Sequence, residues 1–513
     1  MAQSAKKISI LQRFLNLIEK GGNLLPHPAT LFLCFALGTL LLSGIAHLLG
    51  WEIIHPATKE IVAVRNLISA DGLQFILTQT VKNFTNFAPL GIVLVAMLGI
   101  GIAESSGLIG VVIRQLVLSA PKKLLTFVLV FAGILSNMAS DIGYVLLIPM
   151  GGVIFMAVKR HPIVGMAAAF AGVSGGFSAN LFLGTIDPLL AGLSEEAAQI
   201  IDPSYTVNPT ANYYFMIVST FIIAIAGTWV TESIVAPRFG SYEMNEHDLD
   251  ASELKSLTRL EKKGLLVSTG IFLFFMIVMA IGIIPSDGVL RGEGGSLFQS
   301  PLLKGIVTLL FVIAGSMGVA YGWVVGKFKT DSDIMDAMAE SMKTMATYLV
   351  LVFFAAQFVA YFKVSNLGII LAVNGANLLQ AANLNIYVLM ILFIFFAASI
   401  NMLMGSASAK WAILAPVFIP IFMLMGYSPE LSQVVYRIGD SVTNIISPMM
   451  SFFALIIAFF KKYNKDTGMG TIISTMLPYS FVFTIVWIIL LMAWIYFGWP
   501  LGPDAGLYYT IPQ

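Results

Sequence analysis

The sequence predicts an all-α polytopic membrane protein with nine transmembrane helices and two re-entrant helical hairpins, arranged as inverted repeats. Three observations carry this. Of 513 residues, 58% are hydrophobic and only 11% charged, with a mean hydropathy of +0.89; soluble domains carry about 25% charged residues. Apolar stretches of about 20 residues, enough to cross a bilayer, recur along the whole chain. Lastly, Ser136-Asn137-Met138 and Ile400-Asn401-Met402 interrupt two such stretches in opposite halves. Each is followed 43 residues later by another Asn, Asn180 and Asn444, with Gly175 and Gly439 at matching offsets.

In chain order, residues 1–28 form a cytoplasmic amphipathic segment and lead-in. Met1–Lys20 sets Ile8, Leu11, Phe14, Leu15, Leu17 and Ile18 against Lys6, Lys7, Arg13 and Lys20, the pattern of a helix lying on a membrane surface. It lacks the uninterrupted apolar core of a cleavable signal peptide. The first half, 29–235, has crossings at 29–50, 88–106, 163–193 (a broken helix) and 211–235, an external excursion at 51–87, and a hairpin at 122–159 broken at Ser136–Gly143. A charged cytoplasmic linker covers 236–263. Residues 264–345 hold crossings at 264–284 and 302–326 and, at 328–345, an amphipathic cytoplasmic helix. The second half, 346–513, has crossings at 346–373, 430–459 (again broken) and 472–498, and a hairpin at 384–426 broken at Gly405–Ser408. Irregular backbone at membrane depth must be buried in protein or line a cavity, because lipid cannot satisfy its amides.

Lys and Arg concentrate in segments assigned inside, among them Arg259, Lys262, Lys263, Lys461, Lys462 and Lys465. The positive-inside rule then puts the N-terminus in the cytoplasm, and nine crossings put the C-terminus outside. Five crossings separate the hairpins, so the first opens from the cytoplasm and the second from the opposite side.

Several function classes are disfavoured. A net charge of +1 offers no basic face to nucleic acid. One cysteine, Cys34, and five scattered His exclude disulfides and give no metal-ligand spacing. No phosphate-binding G-x-x-x-x-G-K-[ST] loop is present, which argues against ATP-driven pumping. An enzyme would need a nucleophile with a base or a metal triad, and a channel would need a continuous polar pore; the sequence buries isolated charges instead.

Polar breaks repeated at one spacing point to a transporter whose site lies where the broken helices meet. Shifting the second half by 264 positions lays Asn401 on Asn137, Gly439 on Gly175 and Asn444 on Asn180, whereas Asp440 falls on Gly176. A carboxylate therefore stands in only one of these two matching positions. Asp440 and Asn444, four apart, share a helix face, and the hairpin would bring Asn401 to them. These three are expected to hold Na⁺, with Asn137 and Asn180 as secondary candidates; the alternative is that such Asn residues only cap helix breaks. Arg437 either pairs with Asp440 to hold structure or offers its fork to a carboxylate or sulfonyl oxygen. Asp187, ahead of Pro188, meets an amine, carries a proton or caps a break. Trp411 suggests an aromatic anionic substrate, or packing. Ser408 in the hairpin tip and Pro416 complete the expected substrate set. Pro416, Pro420 and Pro448 are expected to bend or end helices.

The strings Ala171-Gly172-Val173-Ser174-Gly175-Gly176-Phe177-Ser178-Ala179-Asn180, Gly184-Thr185-Ile186-Asp187-Pro188, Gly405-Ser406-Ala407-Ser408-Ala409-Lys410-Trp411 and Tyr436-Arg437-Ile438-Gly439-Asp440-Ser441-Val442-Thr443-Asn444 closely resemble the AbgT family of p-aminobenzoyl-glutamate transporters, over essentially the whole chain. The likeness is nearer to the family's antimetabolite and sulfonamide efflux branch. It implies a bowl-shaped homodimer in a bacterial inner membrane, with nine crossings and two hairpins per subunit. Asp187, Trp411, Arg437 and Asp440 would line the substrate path, with sodium near Asn401, Asp440 and Asn444. It implies secondary transport of p-aminobenzoyl-glutamate-like aromatic carboxylates and export of sulfonamides, coupled to a Na⁺ or proton gradient without a tightly bound cofactor. Import of the same folate catabolite, or carriage of another small organic anion, is the alternative.

Overall fold

The computed structural model describes residues 26–54, 59–138, 142–240, 256–297 and 300–510. The expected amphipathic helix of Met1–Lys20, most of the 236–263 linker and part of the first hairpin tip lie outside them.

Among the described residues the chain is all-α apart from a short antiparallel pair, Glu52–Ile54 with Ile61–Ala63, and two isolated bridges, Tyr427 with Tyr508 and Gly502 with Ala505. The helices are α1 (Pro28–Leu48), α2 (Ala70–Thr85), α3 (Ala88–Ser105), α4 (Leu108–Leu118), α5 (Leu125–Ser136), α6 (Gly143–Ala157), α7 (Pro162–Gly175), α8 (Ile186–Ala198), α9 (Tyr213–Phe239), α10 (Arg259–Ile283), α11 (Ile306–Val325), α12 (Asp331–Thr344), α13 (Ala346–Val364), α14 (Leu367–Ala381), α15 (Ile386–Leu403), α16 (Ala407–Leu424), α17 (Pro429–Asn444), α18 (Phe453–Tyr463) and α19 (Met469–Phe497). Their starts follow local chemistry. Ser428 caps α17 by accepting the Leu431 N–H, with Pro429 at a position that needs no amide donor. Thr258 and Glu261 form a reciprocal capping box on α10, and Thr330 and Asp333 do the same on α12.

Nine helices or continuous helical runs among the described residues are long and apolar enough to span a membrane. The set differs from the expected nine crossings. It includes both arms of the second hairpin, α15 and α16, of 18 residues each, about 27 Å at 1.5 Å per residue. The two broken helices drop out of it. The 163–193 stretch divides into α7 and α8 across 176–185, and the 430–459 stretch into α17 and α18 across 445–452. The 346–373 stretch ends early: Asn366 takes a left-handed backbone (φ 63°) between α13 and α14. The 51–87 excursion contains α2, which leads almost directly into α3. Pro416 and Pro420 do not end α16, which runs on to Leu424.

The internal repeat is visible in the elements. A shift of 264 lays α3 to α9 over α13 to α19 in order, hairpin on hairpin and broken helix on broken helix. In each half the hairpin turn packs on the break. A Cβ on Gly184 would come within 2.8 Å of the Asn137 carbonyl oxygen, and one on Gly405 within 2.1 Å of the Met449 carbonyl oxygen. The halves meet there too: Tyr144 stacks on Phe452 with centroids 4.6 Å apart.

Gly439 lets α17 lie against α15, since a Cβ there would reach 2.5 Å from the Ile394 carbonyl oxygen. Backbone cannot yield as a side-chain tip can. Gly439→Ala is therefore expected to part the two helices and cost about 1–3 kcal/mol as an overpacking change. A thermal midpoint in detergent equal to that of the unmodified protein would refute this.

Candidate substrate and cation site

α17 carries Glu430, Gln433, Arg437, Asp440 and Asn444 at spacings of three and four, so they form one polar stripe along the helix. All five are buried. A buried polar stripe is costly unless its groups are paired; here Glu430, Gln433 and Arg437 find partners in the first half of the chain, and Asp440 and Asn444 in the second hairpin.

At the N-terminal end of α17, Tyr205 donates to Glu430 Oε2 at 2.9 Å, and Asn212 Nδ2 donates to the Glu430 carbonyl at 3.0 Å. Gln433 accepts from Ser194 Oγ at 2.6 Å and donates to Asn212 Oδ1 at 2.8 Å. Ser194 in turn accepts the Trp411 indole N–H at 2.9 Å. A cavity of about 290 Å³, lined in part by Asn208, Lys304, Glu430 and Asp504, lies at this end.

One turn further, Arg437 Nη1 donates to Asp187 Oδ1 at 2.7 Å, while Asp187 Oδ2 accepts the Gly184 N–H at 2.7 Å. Arg437 Nε is buried without a hydrogen-bond partner. It borders a cavity of only about 10 Å³, at the lower bound for a single water. Asp187 thus sits in the first turn of α8, opposite the second-half arginine.

Deeper still, Lys410 Nζ lies 2.5 Å from Asp440 Oδ1, with both side chains fully buried. The same ammonium donates to Asn401 Oδ1. Asn401 Nδ2 shares its two hydrogens among the Asp440 carbonyl (2.7 Å), Thr443 Oγ1 (2.9 Å) and Asn444 Oδ1 (2.8 Å), and Asn444 Nδ2 reaches Asp440 Oδ2 at 3.4 Å. The three residues expected to hold a cation therefore converge. Their oxygens are the hard donors such an ion takes, but those of Asn401 and Asp440 already face a lysine ammonium.

The pairing corrects one expectation: Arg437 is the partner of Asp187, and Asp440 is the partner of Lys410. Trp411 is also not an open platform. It is fully buried and its ring stacks on Tyr436, with centroids 4.5 Å apart and planes at 22°. Ser408 is half-buried in the first turn of α16, within 3.3 Å of Ser406 Oγ, and Pro416 is buried two turns on. Asn137 donates to the Ile134 carbonyl at 3.2 Å, and Asn180 Oδ1 accepts the Leu181 N–H at 2.9 Å. Each first-half Asn thus bonds its own neighbouring backbone, while Asn401 and Asn444 bond each other.

Sequence reasoning passed over Lys410, Glu430, Gln433, Ser194 and Asn212. The signal for Lys410 was present: a lysine inside the 384–426 apolar stretch belongs to the same costly class as Arg437. Glu430 and Gln433 continue the spacing of Arg437 toward the helix start.

The chain matches the AbgT transporter family over residues 13–509. It is 36% identical over 492 residues to the p-aminobenzoyl-glutamate transport protein of Escherichia coli (strain K12), covering 96% of each chain. Two solved structures share the fold. MtrF of Neisseria gonorrhoeae, from a class of antimetabolite efflux pumps, superposes with a TM-score of 0.91 at 51% identity, covering 96% of this chain and 100% of that one. The YdaH transporter of Alcanivorax borkumensis does so with a TM-score of 0.88 at 46% identity, covering 93% and 100%.

Proposed function

Because the chain belongs to the AbgT transporter family, we propose that it is a secondary active carrier of p-aminobenzoyl-glutamate-like aromatic carboxylates that also exports sulfonamide antimetabolites. The observation that carries this is the sealed, charge-balanced quartet of Arg437 with Asp187 and Lys410 with Asp440, set between two broken helices and a hairpin. A channel needs a continuous wet path, whereas the space beside Arg437 has room for no more than a water. An anionic substrate enters such a site by exchange. Its carboxylate takes over the Arg437 fork, and the released Asp187 needs a new cation or proton. That exchange couples substrate to ion.

The coupling ion is Na⁺ or a proton, with Asn401, Asp440 and Asn444 as the sodium ligands. The subunit works as a homodimer in a bacterial inner membrane, N-terminus inside and C-terminus outside. An engineered cysteine between Tyr463 and Thr467 should be shielded from an impermeant external thiol reagent, while one at Gly506 should react; the reverse labelling would overturn the orientation.

The test of function is flux of labelled p-aminobenzoyl-glutamate and of a sulfonamide in proteoliposomes under imposed Na⁺ or proton gradients of either sign. Saturable flux that follows one gradient and exchanges with unlabelled substrate is expected. Flux indifferent to both gradients would reject the carrier assignment.

A further inference from the structure

We propose that Lys410 is a tethered cation: its ammonium occupies the pocket formed by Asn401 Oδ1 and Asp440 Oδ1, and Na⁺ and Lys410 exclude one another there. Three observations carry it. The ammonium is fully buried at the bottom of a converging oxygen set, 2.5 Å from Asp440 Oδ1 and hydrogen-bonded to Asn401 Oδ1. Its charge equals that of the ion the set would take, and the site holds one carboxylate. Two cations at a single buried carboxylate would leave one uncompensated, which a low-dielectric interior does not tolerate. Finally, the lysine and the carboxylate ride on different elements. Lys410 stands in the first turn of α16, just beyond the hairpin turn at Gly405, while Asp440 and Asn444 belong to α17.

The pair is therefore a removable staple. With Lys410 in place, the hairpin is fastened to α17 and the pocket is closed to solutes. When Na⁺ takes Asp440 and Asn401, the ammonium is released with its hairpin and becomes free to meet a substrate carboxylate. No new charge enters the quartet without another leaving its partner. The inference deepens the sodium assignment above and rests on it, but not on the identity of the organic substrate or on transport direction.

The test is ²²Na⁺ binding to the purified full-length protein in nanodiscs, without organic substrate. It compares the unmodified chain, Lys410→Gln, Lys410→Arg and Lys410→Gln/Asp440→Asn. Lys410→Gln should bind Na⁺ at least tenfold more tightly than the unmodified chain. Lys410→Arg, which keeps a tethered charge, should show no gain, and the double variant should lose it. Lys410→Gln leaves a buried carboxylate alone and is expected to unfold at a lower temperature, so thermal unfolding in NaCl against choline chloride gives a second readout. Sodium alone should restore its midpoint. Equal Na⁺ affinity in the unmodified and Lys410→Gln proteins would overturn the tethered-cation proposal while leaving the sodium site standing. Absence of Na⁺ binding and of Na⁺ rescue in every variant would overturn both.

Discussion

Asp440→Asn is expected to cost the fold about 3–5 kcal/mol and to abolish transport, whereas Lys410→Met/Asp440→Leu should recover most of that stability but none of the activity. The reason is the asymmetry of buried ion pairs. Removing one partner strands a charge where water cannot reach it, while replacing both by apolar groups is often neutral or stabilising. Lys410 and Asp440 are both fully buried and 2.5 Å apart, and the Asn401 amide oxygen alone cannot neutralise an ammonium. Thermal unfolding of the single and double variants, read as a double-mutant cycle, isolates the coupling. Additive losses would show that the two side chains do not depend on one another, and the charge-balanced picture would fail. A double variant that unfolds as late as the unmodified chain and still transports would show that the pair serves the fold and nothing else.

What the sequence made legible, and what it hid, follows from the range of each interaction. The repeats were legible because Asn401, Asn444, Gly439 and their counterparts are polar or small residues in apolar surroundings, and a 264-residue shift needs only counting. The convergence of Asn401 on Asp440 and Asn444 could be read from one helix face and one hairpin. The partner of Arg437 could not. Asp187 is 250 residues away in the other half, and Asp440, a turn along the same helix, offered a nearer candidate. Lys410 was legible as a charge inside an apolar stretch, but its depth was not: a lysine near a hairpin turn can reach for the polar boundary, whereas its side chain is wholly enclosed. Trp411 shows the same limit. Its place beside the turn was evident, but the face it presents was not, because Tyr436 covers it only once α16 and α17 pack. The lengths of α15 and α16 were a matter of arithmetic that composition leaves open. An 18-residue arm can lie in a hairpin or cross a bilayer, and only its packing partners distinguish the two.

Arg437→Lys should lower kcat/KM for p-aminobenzoyl-glutamate by about tenfold to a hundredfold, the loss of one charge-assisted contact worth about 1.5–3 kcal/mol, while leaving the fold nearly intact. Lysine keeps the charge and can still meet Asp187 Oδ1, so no buried carboxylate is stranded. What it loses is the planar fork, in particular the Nε–H that is buried without a partner in this structure. An unused donor of that kind is costly to hold unless a ligand completes it, and a substrate carboxylate taking Nε and an Nη together would do so. A sulfonamide, which has no glutamate carboxylate, should be affected less than the dicarboxylate. It should instead be sensitive to Trp411→Ala, which removes the stacked ring, and less so to Trp411→Phe, which keeps an aromatic face but gives up the bond to Ser194. Each variant would be assayed for both solutes in proteoliposomes, with membrane insertion and unfolding temperature measured alongside. If Arg437→Lys moves both at the unmodified rate, the guanidinium serves only as the structural partner of Asp187, and the carboxylate must be recognised elsewhere along α17.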